Sequence, residues 1–442
     1  MRIIQPKTGE KKLPMNLEFF LDRVLNLKKK EGRYAVLAFL LFFCIFCSYS
    51  VLRPVRDTMG ITSGVDSLQW LFTATFVVSI AVQIPYFYVL GKISRKIILP
   101  VVFSFFGTNL LFFAYLMAHE IAPVITGRTF YVWLSVYNLA VISLGWSVLN
   151  DILKPAQSKR LFAIAASGSS AGSIIGPMIT ATAVKYTGIF PLILISLAFL
   201  ALASLTVYFL FSIRSEQCDT DESVQSVNDY LGRRINGSIL EGFLSTFKSR
   251  YLLMIAVFVI LASTANTFLY FAQVRIIADS IADKSEQTFV FSVIDLIVNA
   301  ATIILQLFIT GRLADRFGLK PLIAVVPILI LICFVVLMFI PVLSIIVLAM
   351  IVRRVGEYAL VRPGKEMLFS VVSLDEKYKS KNFIDTVVYR GGDVFSAFLT
   401  QGAEALGGMI LSFATGAIMA IVWIINALYL SKLFTHKSQE KL

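Results

Sequence analysis

Histidine is almost missing from this chain of 442 residues. His119 and His436 are the only two and stand far apart, so no metal site can be built from them and no cofactor is expected. Charge is scarce as well, at 15% of residues, and no polar stretch is long enough to form a sizeable soluble domain. Of the four cysteines, Cys44, Cys47 and Cys333 lie inside apolar runs and Cys218 lies in a polar loop. The Cys44–Cys47 spacing is that of a redox pair, but so apolar a surrounding favours packed or lipid-facing thiols. Residues 1–33 are polar and basic without an apolar core segment, so no cleaved signal is expected. Acidic residues number 27 against 40 Lys and Arg, a net charge of +13. That excess could serve nucleic acid, but it falls in short connections between apolar runs, as the positive-inside rule expects of cytoplasmic loops. No nucleic-acid partner is expected.

Hydrophobic residues make up 57% of the chain. They gather in stretches of about 20 residues, enough at 1.5 Å per residue to cross a hydrocarbon core of roughly 30 Å. The runs fall near 34–56, 67–90, 97–118, 128–151, 161–184, 189–211, 251–275, 287–310, 321–341, 343–361, 382–406 and 409–432. The expected fold is an all-α integral membrane protein with twelve transmembrane helices. Residues 14–27 alternate apolar and charged positions at helical spacing before Lys28, Lys29 and Lys30, which reads as an amphipathic helix on the membrane surface. The connections 91–96, 154–160, 311–320 and 365–381 are basic, which, with the long connection 212–250 on the same side, puts both termini in the cytoplasm. The long polar connection at mid-chain divides the protein into a basic segment 1–33, a six-helix bundle 34–211, a linker 212–250, a second bundle 251–432 and a tail 433–442.

The halves look like copies. Arg53 and Asp57 recur as Arg275 and Asp279, and Gly91-Lys92 recurs as Gly311-Arg312, both at an offset of about 220 residues. Parallel six-helix repeats with a substrate site between them resemble the major facilitator architecture, a pseudo-two-fold 6+6 arrangement. The segment from Gly311 through Asp315, Arg316 and Gly318 to Lys320 resembles the gating turn of those transporters, in which the charged residues hold one closed state. Its first-half copy is degenerate, with Ser94 in place of the aspartate.

A charge within the bilayer is costly, so each one is a candidate site residue. Arg53, Arg56 and Asp57 end run one; Arg275 and Asp279 end run seven; Arg353, Arg354, Glu357 and Arg362 lie along run ten; Asp385, Arg390 and Asp393 lie on run eleven. Asp295 and Asn299, four apart on run eight, share a face. Arginine binds carboxylate or phosphate bidentately and stays charged at any working pH, so Arg53, Arg56, Arg275, Arg354 and Arg390 are the candidate substrate ligands. Asp57, Asp295, Glu357, Asp385 and Asp393 would supply counter-charge or a proton site. A competing reading has Arg53 and Arg56 snorkelling at the outer interface, since Arg53 lies roughly 28 Å along a helix starting at Tyr34. For Asp385, a packing role paired with Lys381 competes equally.

Several motifs resemble the ATP/ADP antiporter family of plastids and intracellular bacteria. Tyr49 to Met59 is similar to that family's Y-x-I-L-R-x-x-K-D segment. Trp146, Asn150, Lys159-Arg160 and Phe162 resemble W-x-F-A-N and E-A-K-R-F-Y. Lys365-Glu366-Met367, Leu374-Asp375-Glu376 and Lys377 through Lys381 to Asp385 resemble later elements. The resemblance implies a transporter in a bacterial inner membrane, with Arg56 where the family keeps a lysine important for nucleotide transport and Arg275 near a second lysine site. Two departures stand out: Leu269 replaces a glutamate, and Asp393 stands where a lysine would fall. The expected function is secondary active transport of a small organic anion, nucleotides included, by a monomer in the lipid bilayer, with no enzymatic activity. A proton-coupled exporter of siderophores, peptides or drugs and a non-transporting sensor or scaffold remain alternatives.

Overall fold

The computed structural model describes residues 32–92, 95–152, 155–217, 243, 246–373, 380–381 and 383–439. The amphipathic segment 14–27, Ser94, Cys218, most of the linker and the motif 374–379 lie outside the described residues, as do the side chains of Asn150, Lys159 and Arg160.

Lipid offers the backbone no hydrogen bonds, so a spanning segment must satisfy its own, and the described residues are helical with no strand among them. The helices are α1 (Gly32–Thr62), α2 (Leu68–Lys92), α3 (Arg95–Ala118), α4 (Pro123–Ile152), α5 (Pro155–Thr187), α6 (Phe190–Gln217), α7 (Arg250–Ser280), α8 (Lys284–Leu305), α9 (Leu319–Phe339) and α10 (Leu343–Gly356). The segment Ile384–Gln439 is one spanning stretch by length and composition, but Gly407 and Gly408 break its helix, Gly408 at φ 64°. Only glycine adopts that conformation without strain. The chain reverses there into α11 (384–406) and α12 (409–439). Along α11, partners on α7 advance in step, Asp393 with Ser263 and Glu404 with Arg275; along α12 they run backwards, Trp423 against Phe258 and Tyr429 beneath Arg250. Twelve passes result.

Helix α1 runs on to Thr62, well past the expected end at 56, so Arg53, Arg56 and Asp57 lie inside a helix and not at its tip. Three π-turns interrupt the last six helices: Gln306–Thr310 after α8, Glu357–Val361 after α10 and Ile384–Val388 opening α11. The first two face each other, and side chains bridge them: Thr310 Oγ1 donates to the Ala359 carbonyl at 2.8 Å and Gln306 Nε2 to the Tyr358 carbonyl at 3.0 Å. Helix α10 then continues as Arg362–Leu368.

The tightest packing joins α1 and α5. Gly168, Gly172 and Gly176 recur every fourth residue, and a Cβ on Gly168 would sit 2.3 Å from the Phe39 carbonyl oxygen and one on Gly172 2.5 Å from that of Phe43. Small residues at this spacing let two membrane helices approach backbone to backbone. Two apolar clusters fill the interior, one around Phe42, Tyr137 and Leu144 in the first six helices, the other around Phe258, Phe334 and Trp423 in the last six.

Candidate anion site between the halves

One end of the bundle, called distal here, carries the turns after Thr62 and Ser280. Contacts between the first six and last six helices run from mid-height to that end. Tyr131 and Tyr270 hydroxyls meet at 3.1 Å, Thr58 and Thr288 hydroxyls at 2.7 Å, and Trp70 stands edge-on to Phe398. At the tip, Arg275 Nη2 lies 2.9 Å from both Asp66 Oδ1 and Glu404 Oε2.

Below this closure lies a cavity of about 170 Å³, lined from α1, α2, α4, α7, α8, α10 and α11. The first helix of each three-helix unit, α1, α4, α7 and α10, contributes to it. Pro54 in α1 leaves the Ser50 carbonyl without its intrahelical donor, and Thr180 Oγ1 donates at 3.0 Å to the neighbouring Val51 carbonyl. Around that point α1 presents Arg53, Arg56 and Asp57 to the cavity. Helix α10 presents Arg353, Arg354 and Glu357; its π-turn inserts one residue into the repeat, so Arg362 comes round to the same side. Arg390 and Asp393 enter from α11.

The charges form pairs. Asp295 is 2% exposed and bridges the halves: its carboxylate accepts a short hydrogen bond from Arg354 Nη1 on α10, and Arg53 Nε on α1 lies 3.6 Å away. Asp57 accepts from Arg56 Nη2 at 2.6 Å and from the Tyr270 hydroxyl at 3.0 Å, while the Arg56 guanidinium stands 5.0 Å over the Tyr131 ring. Asp393 accepts from Ser263 Oγ at 2.6 Å with Arg390 Nη1 at 3.8 Å, and Glu357 lies 3.8 Å from Arg362. Arg353 has no carboxylate within ion-pair distance among the described residues, and its Nε, like Arg354 Nε and Nη2, is buried without a hydrogen-bond partner. Both arginines line the cavity, and guanidinium donors left without a partner beside it are suited to an oxyanion.

Most of the residues expected at the site come together here, and two, Arg275 and Asp385, do not. Arg275 lies outside the cavity, in the distal contact. The ends of α1 and α7, Thr62 and Ser280, differ by 218 residues, whereas Arg53 and Arg275 differ by 222, so Arg275 sits one helical turn further along its helix than Arg53. Asp385 also lies outside: it accepts from Lys365 Nζ at 2.8 Å, and Lys381 instead donates to Glu366 at 2.5 Å. Leu269, at the expected glutamate position, is fully buried in the apolar cluster. Arg53, against the snorkelling reading, points inward. Asn299 shares the Asp295 face as expected and donates to the Ser173 carbonyl at 2.7 Å. In the turn from Gly311 to Gly318, Asp315 and Arg316 are exposed and pair with no described carboxylate or cation; Arg316 lies over the Phe317 ring, and Gly318 closes the turn at φ 69°. Tyr131, Ser263 and Tyr270 were missed because an uncharged residue in an apolar run carries no signal in sequence. The Cys44–Cys47 pair is buried and unbonded. A larger groove of about 880 Å³ between α3 and α6, lined by residues such as Phe103, Leu197 and Tyr208, has no charged residue on its walls among the described residues.

Twelve helices, six on each side of a long polar linker, around a charged cavity within the membrane define a class: this is a multi-pass secondary transporter. The chain belongs to the Major Facilitator Superfamily, whose sequence profile matches residues 34–363. It is similar to the ADP,ATP carrier protein 1 of Chlamydia muridarum (strain MoPn / Nigg), 23% identical over 480 residues covering 91% of this chain and 89% of that protein. A second relative, the ADP,ATP carrier protein 1 of Chlamydia pneumoniae, is 22% identical over 91% of this chain and 92% of its own length. Among solved structures, the fold resembles the nucleoside transporter NupG (TM-score 0.62, 15% identity, 92% of this chain and 99% of that one). It also resembles a POT family transporter in complex with a thioalcohol-conjugated peptide (TM-score 0.64, 11% identity, 93% and 100%).

Proposed function

We propose that the protein carries an organic anion, a nucleotide or phosphorylated metabolite, across a bacterial inner membrane by alternating access. The halves 34–211 and 251–432 would rock about the central cavity, with both termini cytoplasmic, the distal contact as the outer gate and the turn 311–320 gating the other end. The protein would act as a monomer, with no enzymatic step and no nucleic-acid partner. Arg53, Arg56, Arg354 and Arg390 bind the anion, joined by Arg353 and Arg362, while Asp57, Asp295, Glu357 and Asp393 hold them when no cargo is bound. Arg275 belongs to the gate. The observation carrying this reading is that six arginines line one cavity within the membrane-spanning bundle. The names of the relatives, ADP,ATP carriers, point to nucleotides as the first cargo to try.

Uptake of labelled nucleotides and phosphorylated metabolites into liposomes holding the purified protein tests it. Arg56→Gln and Arg354→Gln, inserted normally, should each lower uptake by on the order of tenfold or more, the loss of a charge-assisted contact. Uptake unchanged in both variants would remove the cavity from the transport path. A second reading, a proton-coupled exporter, draws on Asp393, a buried carboxylate whose nearest arginine is 3.8 Å away. Transport that collapses when the pH gradient is dissipated, and that ignores anions on the opposite side, would favour it.

A further inference from the structure

The site holds more positive charge than it can neutralise. Among the described residues, six arginines line the cavity against three carboxylates on its wall and Asp295 behind it, and each of the four has an arginine within ion-pair distance. Asp295 is divided between Arg53 and Arg354, and Arg353 has no acid of its own. Two positive charges are therefore left over in a region where solvation is poor and an uncompensated charge is costly. The buried donors without a hydrogen-bond partner belong to these residues: Nε of Arg53 and Arg353, and Nε and Nη2 of Arg354.

We propose that the site selects its cargo by charge, taking an anionic group that carries two negative charges, such as a phosphate monoester dianion, and that Arg353 and Asp295 set that number. This rests on the anion-carrier reading and sharpens it. The volume agrees with the assignment. At about 170 Å³ the cavity is smaller than the roughly 300–1,000 Å³ of whole-ligand pockets, so it encloses the charged head of the cargo and not its body. A head with one charge would leave a bare guanidinium beside it. A head with three would bring an unpaired oxyanion into the bilayer interior.

The same count predicts how substitutions move the preference. Arg353→Gln lowers the excess to one and should shift the optimum to a singly charged head. Asp295→Asn raises the excess to three and should shift it the other way. Arg353→Lys keeps the charge and should keep the dianion optimum, which a purely structural role for Arg353 would not require.

The experiment measures thermal stabilisation of the purified full-length protein, and uptake into liposomes, at pH 8, where a phosphate monoester is doubly charged. The probes are adenosine 3′,5′-cyclic monophosphate and AMP, whose phosphate carries one and two charges on one scaffold, with benzoate, phenyl phosphate and pyrophosphate as a second series running from one charge to three. The native protein should bind the dianion on the order of tenfold more tightly than its neighbours in each series, about 1.4 kcal/mol. Arg353→Gln should reverse the order between one and two charges. An optimum at one or three charges, or an optimum that does not move in Arg353→Gln, overturns charge matching while leaving anion transport standing. Binding and uptake of no member of either series overturns both readings. Should Asp295→Asn fail to fold, the Arg353→Gln and Arg353→Lys pair decides alone.

Discussion

Asp57 shows how one carboxylate can be tied to both halves of the molecule. It accepts from Arg56 on its own helix and from the Tyr270 hydroxyl on α7, and Tyr131 donates to that same hydroxyl. Removing the tyrosine hydroxyl leaves Tyr131 without this acceptor and Asp57 with Arg56 only. Tyr270→Phe should therefore cost about 1–3 kcal/mol of stability, read as a fall in Tm in detergent. Asp57→Ala should cost more, about 3–5 kcal/mol, because it strips the buried Arg56 of its carboxylate. The double variant should fall short of the sum, since both act on one network; additive losses would show that the two contacts are independent. The arginines and aspartates of this network were legible in sequence because a charge in an apolar run stands out. Their partners were not: nothing in the spacing of Asp295 and Arg354, 59 residues apart, joins them, and nothing marks Ser263 as the donor to Asp393.

At the scale of helices, the contact between α1 and α5 rests on three glycines whose spacing is visible in the sequence and whose partner is not. A valine at Gly172 would put its Cβ 2.5 Å from the Phe43 carbonyl oxygen, so Gly172→Val should abolish a stable, monodisperse protein in size-exclusion chromatography. Gly402 on α11 has open space around it, and Gly402→Ala should be neutral or stabilising by up to about 1 kcal/mol, measured by the same thermal assay. Equal behaviour of the two variants would mean that close approach does not hold α1 to α5. The helix count was legible from run length, and the break before 409 from the adjacent glycines. Helix ends were less so: α1 outlasts its apolar run because its last turns, with Arg56 and Asp57, are shielded by α4 and α7, and a hydropathy reading sees a charged residue as an end.

For the whole molecule, the distal closure is the feature that separates one conformation from another. Arg275, paired with Glu404 in its own half, reaches across to Asp66 of the first half, whose side chain is 88% exposed, so this crossing pair contributes little, about 0–1 kcal/mol. A small bias is enough to change populations in a two-state carrier. Arg275→Gln should raise the rate at which a membrane-impermeant thiol reagent, added from the distal side, labels a cysteine placed at Ser135 in the cavity. An unchanged rate would show that aromatic and hydroxyl contacts alone hold the gate. The sequence by itself determined that this protein crosses the membrane twelve times and that arginine concentrates on a few helices, because lipid permits only apolar helices and makes each exception conspicuous. Only the tertiary structure decided which arginines share a cavity, since that depends on helix register and on which helices face each other. One turn of offset sends Arg53 inward and Arg275 to the distal contact, and no periodicity within a single helix records its neighbour's rotation.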